Sequence, residues 1–211
     1  MDLFSNTSQE ILIGGCSTEL FEAFLEPSEA ESLFKELLEL DWKQEEISFM
    51  GKKHPIPRLT YWFWRENKSY IYSGIKVEPE PFPQSIEYLC LKIEETSGKK
   101  FNSVLLNYYR NGNDSVAWHA DDEASLGNEI TVASYSLGAE RKFQLRENFD
   151  KSEIHNIVLK NNSLLIMHHP VQKKLVHQIP KQPSIEKPRI NLTFRFINWW
   201  PYSKRIFMSK S

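Results

Sequence analysis

The sequence predicts a mainly β fold with flanking helices, of the α+β class. Before about residue 100, two segments carry apolar residues at helical spacing. After Gly98, short segments that alternate apolar and polar residues follow one another closely, as in an all-β unit. A series of short strands of this kind is typical of a sandwich, a barrel or a jelly roll, and the helices are available to cover an apolar outer face.

The bulk properties are those of one ordinary globular domain. The 211 residues can bury a hydrophobic core without disulfides, and 40% hydrophobic with 26% charged residues exclude wholesale disorder. The formal net charge of -2 gives no overall positive field, so nucleic-acid binding would need local basic patches. The two cysteines lack CxxC spacing and indicate a reducing compartment. No apolar run approaches the roughly 20 residues of a membrane span. We expect a monomer that is not associated with a membrane. It would be cytoplasmic, or nuclear if the source is a eukaryote.

The helical segments have recognisable ends. The first, PSEAESLFKELLEL, opens at Pro27, and Ser28 with Glu31 predicts a capping box. The second is expected over residues 83–96, with Gly98 beyond its end. Between them, ISFMGKKHPIPRLTYWFW and SYIYSGI predict short strands. Further strands are predicted at NSVLLNYY, ITVASYSLG, RKFQLR, HNIVLK, NSLLIMH and RINLTFRFI.

Two of the predicted strands carry polar residues on a common face. A period of two places Arg189, Asn191, Thr193 and Arg195 on one side of RINLTFR and three apolar residues on the other. In NSVLLNYY, Asn107 and Tyr109 share a face in the same way. The polar face could simply be solvated at a sheet edge. Alternatively, the two strands line a polar cavity for an anion, because planar guanidinium groups suit carboxylates.

A candidate metal site begins with the pair His119 and Asp121. Residues at i and i+2 of an extended stretch project to the same side, so one imidazole and one carboxylate can bind a single ion. His177, twelve residues before Arg189, is the candidate third ligand of a triad of two histidines and one carboxylate. Taken alone, the His-x-Asp pair could equally be a solvated turn. We assign surface or structural roles to the remaining histidines, His54, His155, His168 and His169.

At these residues the sequence resembles the AlkB family of nucleic-acid dealkylating dioxygenases. The similarity runs from about Phe49 to Phe196 and is strongest to the branch with the eukaryotic DNA-repair members. Residues 1–40 lie outside it. The matching pieces, in the same order and spacing, are PRLT, YIYSG, NYYRNGNDSVAWHADDE, RKFQLR and PRINLTFR.

The resemblance implies a double-stranded β-helix (jelly-roll) core that uses Fe(II), 2-oxoglutarate and O2. It implies His119, Asp121 and His177 as the Fe(II) ligands. One arginine would serve each carboxylate end of 2-oxoglutarate, with Arg189 at the distal end. The full set of implied 2-oxoglutarate contacts is Asn107, Tyr109, Arg189, Asn191, Thr193 and Arg195.

The resemblance also implies an activity and a division of the chain. The activity is oxidative demethylation of N-alkylated bases such as 1-methyladenine and 3-methylcytosine, releasing formaldehyde, succinate and CO2, as in DNA repair. The whole chain, 1–211, would form one catalytic domain. Within it we expect N-terminal helices and a nucleotide-recognition lid of hairpins over 1–100, the core over 101–198 and a C-terminal tail over 199–211.

The implied partner is DNA, either single-stranded or as a duplex with the target base flipped out, and we also consider RNA. Tyr72 resembles the family's stacking aromatic, although it could instead be a core strand residue. The turn formed by Phe49, Met50 and Gly51 resembles the wedge of a duplex-acting member, or is a hairpin tucked against the core. The other implied base contacts are Arg58, Ser73, Asp122 and Glu123.

Two competing functions remain open on sequence alone. The first is the same oxygenase chemistry directed at RNA or at a protein side chain, because iron and cosubstrate residues do not specify the prime substrate. The second is a non-catalytic β-barrel binding module in which His119 and Asp121 are incidental.

Overall fold

A computed structural model describes residues 8–49, 51–65, 70–72, 75–77 and 80–198. The helices are α1 (Pro27–Leu38), α2 (Gln84–Ser97) and the short α3 (Val171–Lys174). The strands of the first hundred residues are β1 (Ser8–Ile13), β2 (Cys16–Phe21), β3 (Glu46–Phe49), β4 (Lys52–Pro55), β5 (Leu59–Trp64), β6 (Tyr70–Tyr72), β7 (Ile75–Val77) and β8 (Glu80–Pro81). The later strands are β9 (Ser103–Tyr109), β10 (Val116–His119), β11 (Val132–Gly138), β12 (Arg141–Glu147), β13 (His155–Leu159), β14 (Ser163–Met167), β15 (Leu175–Ile179) and β16 (Arg189–Arg195).

Most of these strands form two sheets. The larger has the order β1-β2-β14-β11-β16-β9-β5-β8, and the smaller has the order β10-β15-β12-β13. The pairs β3–β4 and β6–β7 are separate hairpins. The mainly β, jelly-roll class predicted from the sequence is confirmed. No helix in the described part of the chain is both long and apolar enough to cross a membrane.

The helices cover one face of the larger sheet. On β16, Ile190, Leu192 and Phe194 are fully buried in an apolar cluster that includes Leu33 of α1 and Leu89 of α2. Alternate residues of β9 and β11, such as Leu106 and Tyr135, join the same cluster. This face is the structural core predicted by the alternation of the strands.

A second apolar cluster lies between the two sheets. It combines Leu165 and Met167 of β14, in the larger sheet, with Phe143 and Leu145 of β12, in the smaller one. Because the strands alternate, the residues that do not face the helices face this interior. The polar faces predicted on β9 and β16 therefore point inward rather than into solvent.

The helix boundaries show one error of sequence reasoning. The predicted capping box of Ser28 and Glu31 is wrong, because Pro27 is the first helical residue and Glu26 is the N-cap. Proline suits the first position, since its fixed φ is helical and its missing N–H would be unpaired there anyway. The Glu29 carboxylate accepts a hydrogen bond from the Glu26 backbone N–H at 3.2 Å. The second helix ends as predicted, at Gly98 with φ of 65°.

The β1–β2 hairpin was not predicted. It turns at Gly14 and Gly15, which have φ of 54° and 69°, and β2 then pairs with β14 in the larger sheet. Strands β5 and β8 join that sheet as well. Strands from both sides of residue 100 therefore share one sheet.

Candidate metal and anion site

The predicted polar residues of β9 and β16 lie side by side. The two strands pair antiparallel, with Asn107 opposite Asn191 and Tyr109 opposite Arg189. Their inward side chains line a cavity together with residues of the smaller sheet. The predicted metal and cosubstrate residues all line this cavity. They are Asn107, Tyr109, His119, Asp121, His177, Arg189, Asn191, Thr193 and Arg195.

A β-bulge aims His119 into this cavity. β10 pairs with β15 so that Val116 lies opposite Ile179 and His119 opposite His177, which leaves one extra residue on β10. Val116 and His119 therefore both line the cavity although three positions separate them. The Nδ1 of His119 lies 2.8 Å from the Ala117 carbonyl oxygen. When Nδ1–H donates to that carbonyl, the ring is oriented and Nε2 is left with its electron pair.

His177 lies against His119 and is kept neutral. The two ring centroids are 4.3 Å apart. Burial, reinforced by the nearby His119, lowers the pKa of His177 to about 3. A neutral imidazole at physiological pH is the form that binds a metal ion.

Asp121 completes the predicted triad at the end of β10. Its Oδ1 accepts a hydrogen bond from Nη1 of Arg195 at 3.1 Å, and its Oδ2 lies 4.0 Å from Nε2 of His177. Burial alone would raise the pKa of the Asp121 carboxyl, but Arg195, together with smaller contributions from neighbouring groups, outweighs burial and holds this pKa below its usual range. The carboxylate is therefore ionised inside the cavity.

These donors fit a divalent metal ion. Nitrogen and carboxylate donors about 2 Å from one ion lie about 3 to 4 Å apart, which matches the separation of Asp121 and His177. Within the described residues, no three His, Cys, Asp or Glu side chains are already gathered closely enough to hold an ion. The set of His119, Asp121 and His177 thus has suitable chemistry and position but is not closed in this conformation.

Arg189 forms a buried cationic site beside the triad. It is 1% exposed, and its Nη2 donates to the Ser136 hydroxyl at 2.9 Å. Its Nε and Nη1 have no acceptor in hydrogen-bonding geometry among the described residues. Burial lowers the pKa of Arg189 to about 10, so the guanidinium remains charged at neutral pH. A buried cation with unused donors fits an anionic ligand.

The remaining cavity residues differ in how far they are free to bind a ligand. Asn191 donates to the Ser134 hydroxyl at 2.8 Å and to the Tyr135 carbonyl at 3.0 Å. Thr193 donates to the Asn191 side-chain oxygen at 3.0 Å. In this conformation Asn191 therefore ties β16 to β11. Arg58, predicted as a base contact, instead donates from Nε to the Asn107 side chain at 2.7 Å.

The predicted acidic base contacts lie at the edge of the cavity. Asp122 is exposed and Glu123 half-buried. The Oε1 of Glu123 lies 3.9 Å from Nη1 of Arg195. Glu123 therefore lies close to the triad, and neither side chain lines the cavity.

The predicted stacking and wedge residues are only partly described. Met50 and Ser73 lie outside the described residues. Tyr72 ends β6 and Phe49 ends β3, and the structure describes these two positions by backbone alone. Gly51 follows with φ of 73°, a left-handed conformation that favours glycine at a turn. The stacking and wedge roles stay predictions.

Sequence reasoning missed several residues around the site. Ser134 and Ser136 of β11 bind Asn191 and Arg189, and the period of two in VASYSLG could have shown that they face inward. Gln172 accepts a hydrogen bond from the backbone N–H of Asp121 at 2.9 Å. No local pattern indicates that contact, because it depends on how α3 folds back against residues 51 positions away.

Comparison with known proteins first identifies the class to which this protein belongs. A family model described as the 2OG-Fe(II) oxygenase superfamily matches residues 17–195. The solved structure of OsALKBH1 superposes with a TM-score of 0.65 at 14% identity, covering 90% of this chain and all of that one. That likeness shows the fold.

Proteins of similar sequence identify the family within this class. The chain is 40% identical to the alpha-ketoglutarate-dependent dioxygenase alkB homolog 3 of Bos taurus, over 84% of this chain and 65% of that protein. It is 31% identical to the DNA oxidative demethylase ALKBH2 of Homo sapiens, over 81% of this chain and 69% of that protein. The chain belongs to the AlkB family of 2OG-Fe(II) oxygenases, as the resemblance of its motifs predicted.

Proposed function

We propose that this protein is an Fe(II)- and 2-oxoglutarate-dependent dioxygenase that oxidatively demethylates N-alkylated nucleobases. The observation that carries the proposal is the buried Arg189, a cation with unused donors next to two histidines and a carboxylate. Such a pair of sites suits a metal ion together with an anionic cosubstrate. The relatives described above include proteins named as DNA oxidative demethylases.

In this proposal His119, Asp121 and His177 hold Fe(II). The bound ion, with O2 and 2-oxoglutarate, supplies the oxidation of a methyl C–H bond coupled to release of succinate and CO2. The Ala117 carbonyl orients His119, and Arg195 and Gln172 orient Asp121. Outer contacts of this kind fix the direction of metal ligands.

The cosubstrate would lie along the polar face of β16. Arg189 would bind its distal carboxylate, with Tyr109 beside the guanidinium, whose Cζ lies 5.2 Å from the ring centroid. Arg195 would serve the end near the metal, because it already contacts Asp121. Asn107 would add an amide contact, and Asn191 and Thr193 would shape the wall.

The prime substrate would be a nucleotide that is single-stranded or flipped out of a duplex, since the site is recessed. The base would be held by Tyr72 and by the acidic Asp122 and Glu123, which favour positively charged lesions. Arg58 and Ser73 would add contacts. For duplex DNA, Phe49, Met50 and Gly51 would fill the gap left by the base. Oxidation of an N-methyl group gives an N-hydroxymethyl group that decomposes to formaldehyde, so no general base is needed at carbon.

The test is formaldehyde and succinate release from substrates that differ only in the nucleic acid. Single-stranded DNA, duplex DNA and RNA of one sequence, each carrying one 1-methyladenine, are incubated with the protein, Fe(II) and 2-oxoglutarate. We expect equal amounts of formaldehyde and succinate from at least one substrate, and none when 2-oxoglutarate is omitted. Absence of turnover with every substrate, together with absence of metal binding, would favour the binding-module alternative.

A further inference from the structure

A second depression, the β10 groove, runs along the free edge of β10. β10 is the edge strand of the smaller sheet, and the opposite wall comes from the β3–β4 hairpin and the segment before β5. Arg58 and His119 line both this groove and the cavity of the proposed active site. The two spaces therefore lie next to each other. Residues that define the groove include Ile47, Ile56, Arg58, Trp118, Gln178 and Lys181.

Trp118 lies in the wall of the β10 groove and is not part of the apolar clusters. The bulge that turns His119 inward leaves Trp118 on the outer side of the sheet, where it is half-buried. The Cζ of Arg146, from β12, lies 4.1 Å from the centroid of the Trp118 ring. A cation at this distance is attracted to the indole and fixes the orientation of the ring. The indole is thus a pre-ordered aromatic surface beside the site.

The charge of the β10 groove favours an anionic partner. Arg58 and Lys181 line it, and no Asp or Glu is among its described lining residues. This local positive charge contrasts with the formal net charge of -2 for the whole chain. The Nε of Arg146 also has no hydrogen-bond acceptor among the described residues. A groove that combines basic side chains with a partly exposed aromatic ring is typical of single-stranded nucleic-acid sites.

We propose that Trp118, held by Arg146, is the stacking platform for an unpaired nucleotide that flanks the alkylated one in the strand. The inference rests on the proposed function, because the strand enters the β10 groove only when its alkylated base enters the cavity. The flanking base stacks on the indole, and Arg58 and Lys181 lie where its phosphates pass. Stacking tolerates any base, so the platform increases the affinity for longer strands and does not select a base sequence.

Chain length is therefore the variable to test. The kcat/KM for formaldehyde release is measured for a single 1-methyladenine nucleotide and for a pentanucleotide with 1-methyladenine at its centre. In the parent protein we expect the pentanucleotide to be preferred. In Trp118→Ala we expect its kcat/KM to fall about tenfold, the size typical of losing one stacked base, with little change for the single nucleotide. Trp118→Phe should restore most of the preference.

The controls separate stacking from damage to the neighbouring His119. Tyr88→Ala removes an exposed aromatic side chain from α2 and should leave both substrates unaffected. If Trp118→Ala lowers kcat/KM equally for both substrates, or for neither, the proposal is overturned. If the parent demethylates neither substrate, nor the single-stranded DNA, duplex DNA and RNA substrates described above, the proposed function fails instead. The platform is then judged by fluorescence anisotropy with the pentanucleotide that carries 1-methyladenine, where equal affinities of parent and variant would overturn it.

Discussion

The two faces of the larger sheet differ in how fully Glu94, on one face, and Arg189, on the other, are paired by hydrogen bonds. On the helix side, the buried carboxylate of Glu94 accepts hydrogen bonds from Arg65 at 2.6 Å, Lys100 at 2.8 Å and the Phe101 backbone at 2.9 Å. On the cavity side, Arg189 donates a hydrogen bond to the Ser136 hydroxyl, and two of its nitrogens have no acceptor among the described residues. The chain neutralises the charge that stabilises its fold and leaves available the charge that would bind a ligand.

β16 shows the same contrast within seven residues. Ile190, Leu192 and Phe194 contribute to the helix-side core, while Arg189 and Arg195 contribute to the cavity. The two faces should therefore be separable by mutation. Substitutions on the helix side should alter stability, and those on the cavity side should alter binding and turnover.

Phe194→Ala should have the largest effect, on stability. It removes a fully buried ring from the helix-side core, which typically costs about 3 to 5 kcal/mol. Urea denaturation would measure the loss, and the KM for 2-oxoglutarate of the remaining folded protein should stay within about twofold of the parent. Ile190→Val, a smaller deletion on the same face, should cost about 1 kcal/mol. A large change in KM without loss of stability would show that the faces are not independent.

His177→Ala should lower the rate of turnover. Removing a proposed metal ligand should lower kcat by at least about 100-fold, or about 2.7 kcal/mol, because loss of an outer contact alone costs about 10- to 100-fold. Anaerobic Fe(II) titration and formaldehyde release would both be measured. His155→Ala is the matched control, since His155 lies on β13 and outside the cavity lining. Retention of Fe(II) affinity in His177→Ala would remove His177 from the ligand set.

Arg189→Met tests whether the available charge serves a ligand. We expect the KM for 2-oxoglutarate to rise about 10- to 100-fold, about 1.4 to 2.7 kcal/mol, because a charge-assisted contact is lost. Stability should be unchanged or higher, since an apolar side chain of similar volume avoids burying a cation. A lowered melting temperature with unchanged KM would instead assign Arg189 to the fold.

Glu94→Gln should have a small effect, about 1 to 2 kcal/mol of stability at neutral pH. Burial alone would raise the pKa of the Glu94 carboxyl, but bonds from Lys100 and Arg65 outweigh burial and lower this pKa. Its contribution is therefore complete above the unfolded pKa, near 4.3, and is lost as pH falls through the lower folded value. Chemical denaturation at several pH values should show the difference between parent and variant shrinking in acid. A constant difference down to about pH 3 would contradict this assignment.

Local patterns predicted what depends on local geometry. Alternation placed Asn107 and Tyr109 on one face and Arg189 and Arg195 on another, and these faces do line one cavity. Long-range pairing could not be predicted in this way, as the β1–β2 hairpin and Gln172 show. The bulge before His119 was also missed. It depends on the register between β10 and β15, which single-strand alternation does not reveal.

The β1–β2 hairpin covers one edge of a fully buried strand. All five residues of β14, SLLIM, are buried, and β2 pairs with the edge of β14 that β11 leaves free. An uncovered apolar strand edge is a template for pairing with another copy of the chain. A fragment that begins at α1 would keep every residue of the proposed triad and still be prone to aggregate. We therefore expect a segment outside the proposed site to decide how readily the folded protein aggregates.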